Sequence, residues 1–222
     1  MAGGMVLMAI LVTMYGVAQA MVLHGFIQAT SNGSRAWILR HHINWQILPL
    51  YLIGAALAIG LFTLVLVVPP AGVVLILVGL FPWLARLSKH LKGLDITKPL
   101  TTLCCGFFVT AAQLLAGASG PLLDVFYLNS PMTRQEIVAN KALTQTLGHI
   151  FKIVYYGLVV AVGVDFSWWL VAIAMLFAVL GTRVGTLLLD RWNDAQFQKI
   201  SQVAILTIAT LCTVQGIRML LN

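Results

Sequence analysis

Seven long apolar runs fill most of this chain of 222 residues and constrain its fold more than any other feature. A helix needs about 20 apolar residues to cross the hydrocarbon core of a bilayer, and most of the runs are that long. The chain is 60% hydrophobic and 9% charged, with a mean hydropathy of +0.98. It therefore has too few charged residues to cover a water-facing surface. The runs cover roughly residues 5–34, 47–68, 71–88, 100–128, 138–163, 167–189 and 201–221.

These runs predict an all-α polytopic membrane protein of about seven transmembrane helices, in a single domain that covers residues 1–222. The net charge of +7 comes from basic residues in the short breaks between runs, where the positive-inside bias places them. We interpret them as contacts to anionic headgroups of the lipid bilayer, not as a nucleic-acid surface. Three cysteines lie in apolar runs without histidine partners, so neither a metal site nor a cofactor is predicted.

A polar stripe interrupts the first run, in the segment HGFIQATSNGSRAWILRHHINW that begins at His24. His24, Gln28, Ser31 and Arg35 follow one another in steps of four, three and four, which keeps them on one face of a helix. One charge at the bilayer centre costs roughly 2.5–3.5 kcal/mol on insertion scales. The stripe is therefore expected to face protein or a water-filled cavity.

A second stripe matches the first when the chain is shifted by 117 residues, onto KALTQTLGHIFK from Lys141 to Lys152. The shift pairs His24 with Lys141, Gln28 with Gln145, Ser31 with Gly148, Asn32 with His149 and Arg35 with Lys152. With four extra residues in the second copy, Asn44-Trp45 meets Asp165-Phe166. The alignment predicts two homologous repeats, one of about residues 1–90 that is shortened at its N-terminus and one of about residues 100–222.

Glycine-rich breaks occur in both halves, at AGG near residue 3 and at AGASGP from Ala116 to Pro121. Interrupted helices leave free backbone N–H groups that suit an anion, whereas the alternative is a simple packing kink. If the second break makes residues 100–128 a re-entrant pair, the two repeats are inverted. If that run crosses once, they are parallel. The positions of the basic breaks favour the re-entrant arrangement.

Two cations accompanied by amides match a small anion with several oxygens, such as sulfite, a sulfonate or a carboxylate. The alternative is that Arg35 and Lys152 extend to the headgroups while the amides hold helices together. The candidate substrate-binding residues are Arg35, Lys152, Gln28, Asn32, Gln145, His149, Gly117 and Gly120.

Asp124 is the one acid well inside an apolar run, and it either carries a coupled proton or pairs with Lys141. His24 and Lys141 are the further candidates for proton coupling. His24, like His149, can titrate in the physiological range, whereas a hydrogen-bonded structural role is the alternative for each histidine. Arg183 lies near the end of its run and is expected to reach the headgroups. No P-loop or nucleophile with its base is found, so the chain is not predicted to be an enzyme.

The segments GGMVLM, HGFIQATSNGSRAWILRHHINW, GASGPLLDVF and ANKALTQTLGHIFKIVYYG resemble the sulfite exporter TauE/SafE family, also called toluene-sulfonate uptake permeases. The resemblance implies a permease of seven or eight spans made from a duplicated four-segment element. Such a protein moves sulfite, sulfoacetate, other organosulfonates or related small organic anions, coupled to the proton gradient. The implied glycine breaks are Gly3, Gly4, Gly117 and Gly120, and the implied polar helices carry Gln28, Asn32, Arg35, Gln145, His149 and Lys152.

Two departures from the family pattern fall in the first half. Members open with a full span before the first glycine break, which here is at Gly3 and Gly4, and Ala9 stands where a proline is expected. We predict a secondary transporter of a small anion in the bacterial inner membrane. The sequence is compatible with either a monomer or a homo-oligomer. The alternative is a non-transporting membrane subunit or assembly factor whose polar helices dock a partner.

Overall fold

The computed structural model describes residues 2–87, 94–160, 167–189 and 194–221. Over these residues the regular structure is helical, which confirms the predicted all-α class. The helices are α1 (Ala2–Met14), α2 (Val17–Ile38), α3 (Leu48–Val65), α4 (Ala71–Leu87), α5 (Pro99–Ala116), α6 (Gly120–Phe126), α7 (Arg134–Val154), α8 (Trp168–Leu189) and α9 (Asp194–Leu221). Short 3₁₀ helices at Arg40–His42 and Trp45–Ile47 join α2 to α3, and a π-helix at Tyr155–Val159 continues α7. The predicted match at residues 165 and 166 lies outside the described residues.

Within the described part of the chain, four stretches are both long and apolar enough to cross a bilayer. They are Trp45–Val65, Pro99–Ala116, Trp168–Gly185 and Ile200–Leu221. Shorter apolar stretches are Gly3–Met14 and Ala71–Leu87. Helices α2 and α7 have 22 and 21 residues, but their polar stripes make them less apolar. The predicted count of seven spans stays a prediction.

The predicted first run, residues 5–34, is wrong as one continuous helix. Helix α1 ends at Met14 and α2 begins at Val17, because Gly16 takes an extended backbone with φ −58° and ψ 148°. The boundary between the two helices therefore lies at Gly16. Hydropathy did not predict it, because the residues on both sides are apolar.

The predicted break in the run at 100–128 is confirmed. Helix α5 ends at Ala116, Gly117 follows with φ 72°, and α6 starts at Gly120 with Pro121 in its first turn. This left-handed backbone favours glycine. A Cβ at Gly117 would also lie 2.7 Å from the Met8 sulfur and 2.8 Å from the Met21 sulfur. The site therefore excludes a side chain both by conformation and by space.

Helices α2 and α7 pack against each other in opposite directions. His24 Nδ1 lies 2.8 Å from Lys152 Nζ, while a Cβ at Gly33 would lie 3.5 Å from Thr146. Later residues of α2 therefore contact earlier residues of α7. The two stripes that align in sequence thus run antiparallel in space, which is the arrangement that inverted repeats produce.

Two further helix pairs are closely packed. Helix α3 packs on α5 so closely that a Cβ at Gly54 would lie 2.1 Å from the Leu103 carbonyl oxygen. Helix α4 packs on α9, where a Cβ at Gly79 would lie 2.3 Å from the Ala209 carbonyl oxygen. Small residues that let backbones approach are the usual packing device between membrane helices. Helix α5 of the first pair also contacts α7, and α1, which contacts α2, contacts both helices of the second pair.

Candidate functional site

A cavity of about 840 Å³ lies among α1, α2, α5, α6, α7 and α8. No aspartate or glutamate is among the described residues that border it. The wall also includes apolar side chains such as Ile27, Ile38 and Val138. The polar and charged side chains on its wall are His24, Gln28, Ser31, Asn32, Arg35, Gln113, Ser119, Gln145, His149, Thr182 and Arg183. This cavity therefore suits an anion, because its wall offers cations and N–H donors without a competing carboxylate.

The stripe on α2 is ordered by its own hydrogen bonds. Asn32 Nδ2 donates to the Gln28 carbonyl at 3.0 Å, and Arg35 Nη1 donates to Asn32 Oδ1 at 3.5 Å. The second bond is long, so it holds the guanidinium weakly. A guanidinium carries five N–H donors, and most of those on Arg35 are left for a ligand.

Lys152 forms the centre of a buried network behind the cavity. Its Nζ donates to His24 Nδ1 at 2.8 Å and to the Gly117 carbonyl at 2.9 Å. His24 Nε2 lies 2.9 Å from the Gly4 carbonyl, which accepts and cannot donate. The Nε2 of His24 therefore carries the proton, and this ring is the neutral tautomer that accepts from Lys152 at Nδ1. Through this ring, Lys152 links α7 to the first turn of α1.

Gln113 organises the second half of the site, and the sequence analysis did not identify it. Its Nε2 donates to the Gly117 carbonyl at 3.0 Å and to His149 Nδ1 at 2.8 Å, while its Oε1 accepts from Ser119 Oγ at 2.6 Å. A glutamine in an apolar run one turn before a glycine break is the signal that could have found it. This side chain thus ties the break between α5 and α6 to α7.

Asp124 and Lys141 form an ion pair between α6 and α7. Neither residue borders the large cavity, but Asp124 borders a smaller one of about 150 Å³. Pro121 borders both cavities. The predicted pairing of Asp124 with Lys141 is therefore present, and a role for either residue in proton coupling stays a prediction.

The structure brings together most, but not all, of the predicted residues. Lys152 and Gly117 lie behind the cavity and do not border it, because His24 and Gln113 stand between. Their predicted role as direct ligands is not the arrangement seen here. The predicted site residues that border the cavity are Gln28, Asn32, Arg35, Gln145, His149, Gly120, His24, Gly3 and Gly4.

The expectation that Arg183 extends to the headgroups differs from its position in the structure, where it borders the cavity. Helix α8 packs on α2 through a hydrogen bond of 2.9 Å between Ser31 Oγ and Thr182 Oγ1. That contact brings the adjacent Arg183 to the same wall. No group of three or more histidine, cysteine or acidic residues able to hold a metal ion is found within the described ranges.

The profile of the family described as sulfite exporter TauE/SafE matches residues 1–211. The chain belongs to the sulfite exporter TauE/SafE family. This membership confirms the resemblance and makes the TauE/SafE chain a multi-pass membrane protein of a transporter family. It also agrees with a permease rather than an enzyme. No curated protein and no solved structure matches this TauE/SafE protein.

Proposed function

We propose that this protein is a secondary transporter of the bacterial inner membrane that moves sulfite, an organosulfonate or a related small organic anion. The cavity between α2 and α7 is the proposed binding site. The observation that carries the proposal is its wall, where Arg35 and several amides meet without a carboxylate among the described lining residues. An oxyanion is the ligand class that such donors recognise.

Arg35 is the proposed primary ligand. Its guanidinium is planar and presents paired N–H donors that match two oxygens of a sulfonate or carboxylate. The amides of Gln28 and Gln145 border the same cavity and donate to the remaining oxygens. Asn32 orients Arg35 through the bond between Nη1 and Oδ1. The site then binds the oxygens of the acid group, so these hydrogen bonds depend little on the organic group attached to it.

Lys152 supports binding from behind the wall. Its side chain has no exposed surface, and within the described residues no carboxylate pairs with it. A buried charge without a counter-ion costs several kcal/mol, by the order of magnitude of ion desolvation. An anion in the adjoining cavity lowers that cost by Coulomb attraction. Lys152 thus favours the occupied cavity without touching the ligand.

Coupling to the proton gradient is proposed to use the Asp124–Lys141 pair. Protonation of Asp124 removes its charge and breaks the ion pair that holds α6 to α7. Helix α6 carries Gly120, which borders the binding cavity, so its release changes the wall of that cavity. The antiparallel α2 and α7 further support inverted repeats, whose halves can exchange conformations and open the site to either side.

The test is flux of radiolabelled sulfite, an alkanesulfonate and a carboxylate in proteoliposomes, with and without a pH gradient. Arg35→Ala is expected to reduce flux of the transported anion at least about tenfold, since a charged hydrogen bond contributes about 1.5–3 kcal/mol. Lys152→Ala is also expected to reduce flux, because it removes the buried positive charge that attracts the anion from behind the wall. Arg218→Ala is the matched control, because Arg218 is exposed in the last turn of α9 and does not border the cavity.

Unchanged flux in both Arg35→Ala and Lys152→Ala would overturn the proposed anion site. If the wild-type flux is the same with and without a pH gradient, proton coupling is overturned while the proposed anion site stands. If no anion of the three classes moves through the wild-type protein, the alternative of a non-transporting subunit or assembly factor takes its place.

A further inference from the structure

We infer that Arg183 is a second cation of the anion site and that it selects organic anions that carry two anionic groups. This inference rests on the proposed function and adds a specificity-determining residue to it. It begins from the wall of the cavity, which takes one guanidinium residue from α2, Arg35, and another from α8, Arg183.

A single inter-helix contact places the two cations. Thr182 Oγ1 donates to the Ala178 carbonyl at 2.8 Å, so Ser31 Oγ donates to Thr182 Oγ1 at 2.9 Å. Arg183 directly follows Thr182, while Arg35 lies one helical turn after Ser31. Both arginines are therefore within one turn of the same hydrogen bond, on two neighbouring helices.

None of the residues that the structure describes neutralises Arg183. The structure records no hydrogen bond and no ion pair between Arg183 and another described residue, and its side chain is exposed. Arg35 makes only the long bond to Asn32 within the same described set. Two positive groups on one wall, without a carboxylate among the described residues that border it, repel each other until anions arrive. A ligand with two negative groups neutralises both arginines at once.

The size and lining of the cavity indicate what joins the two groups. A volume of about 840 Å³ lies in the range of pockets that hold organic molecules, and it exceeds what a bare oxyanion of a few atoms fills. Ile27, Ile38 and Val138 line it beside the polar residues. Apolar side chains stabilise a hydrocarbon linker by burial. The fitting ligand is thus a short carbon chain with an anionic group at each end.

The test compares two probes with the same carbon chain, 3-sulfopropanoate with two anionic groups and propane-1-sulfonate with one. Binding to the purified full-length protein is measured by isothermal titration calorimetry. The wild type is expected to bind 3-sulfopropanoate roughly 10–150-fold more tightly, which corresponds to one charged hydrogen-bonding contact of 1.5–3 kcal/mol. Arg183→Gln is expected to remove that preference, because it weakens the binding of 3-sulfopropanoate by much more than the binding of propane-1-sulfonate.

Two variants make the result specific. Arg183→Lys keeps the charge and is expected to keep most of the preference, whereas Arg218→Gln removes an exposed arginine on α9 and is expected to change neither affinity. Binding of propane-1-sulfonate serves as the internal check that Arg183→Gln is folded. Should that binding be lost, Arg183→Lys decides the question by whether its preference survives.

Equal binding of the two probes to the wild type would overturn the role of Arg183 and leave the proposed anion site standing. A preference for 3-sulfopropanoate that persists in Arg183→Gln would also overturn the role of Arg183 and leave the proposed anion site standing. It would favour the interpretation that Arg183 contacts the lipid headgroups. If the wild type binds neither probe, this inference fails, and the flux of sulfite and of a carboxylate still decides the proposed function separately.

Discussion

Replacement of Gly117 by alanine tests how the site is built. Two costs add at this position. The backbone has φ 72°, where an L-residue other than glycine is strained by about 1–2 kcal/mol. The new Cβ would also lie 2.7 Å from the Met8 sulfur and 2.8 Å from the Met21 sulfur, and overpacking of a core costs about 1–3 kcal/mol. Together the free energy of unfolding is expected to fall by about 2–5 kcal/mol.

The assay is the apparent melting temperature of the purified protein in detergent. A loss of this size corresponds to about 4–20 °C for a chain of 150–250 residues. Gly60→Ala is the control, because Gly60 lies inside α3 and no atom is within 4 Å of a Cβ built there. If Gly117→Ala and Gly60→Ala melt at the same temperature, the argument from backbone conformation and crowding is refuted.

Two other predictions concern helix packing and the ion pair. Gly54→Leu is expected to prevent folding, because even a Cβ at Gly54 would lie 2.1 Å from a backbone oxygen of α5. Gly60→Leu is the control and is expected to be tolerated. A monodisperse peak in size-exclusion chromatography is expected for Gly60→Leu and not for Gly54→Leu. For the ion pair, Asp124→Asn combined with Lys141→Gln is expected to reduce proton-coupled flux no more than either change alone, since both break one contact. Strictly additive losses in that double-mutant cycle would mean that the two residues act independently.

Much of the candidate site could be predicted from spacing along single helices. Steps of three and four residues correctly grouped His24, Gln28 and Arg35 on one face of α2, and they border the cavity together. The same reasoning placed Lys152 on the polar face of α7 but predicted that it binds the anion directly, whereas it does not border the cavity. Helical periodicity describes a face of one helix, and it does not say which side chain of a neighbour covers that face.

Residues on other helices were harder to assign. Gln113 and Arg183 each stand alone in an apolar run, with no stripe around them. Their place at the site comes from the packing of α5 and α8 against the central pair, through His149 for the first and through Ser31 with Thr182 for the second. No local pattern encodes these contacts, because each joins residues far apart in the sequence.

Local patterns in the sequence were enough to predict an all-α membrane protein, a helix break at Gly117 and two helices that carry matching polar stripes. These follow from local physics: the cost of polar groups in hydrocarbon and the backbone freedom of glycine. The packing of the helices was needed to show that α2 and α7 run antiparallel, that Lys152 lies behind the cavity wall and that Arg183 lies on it. Each of these depends on which helices meet, and that choice is made by side chains packing across the whole fold.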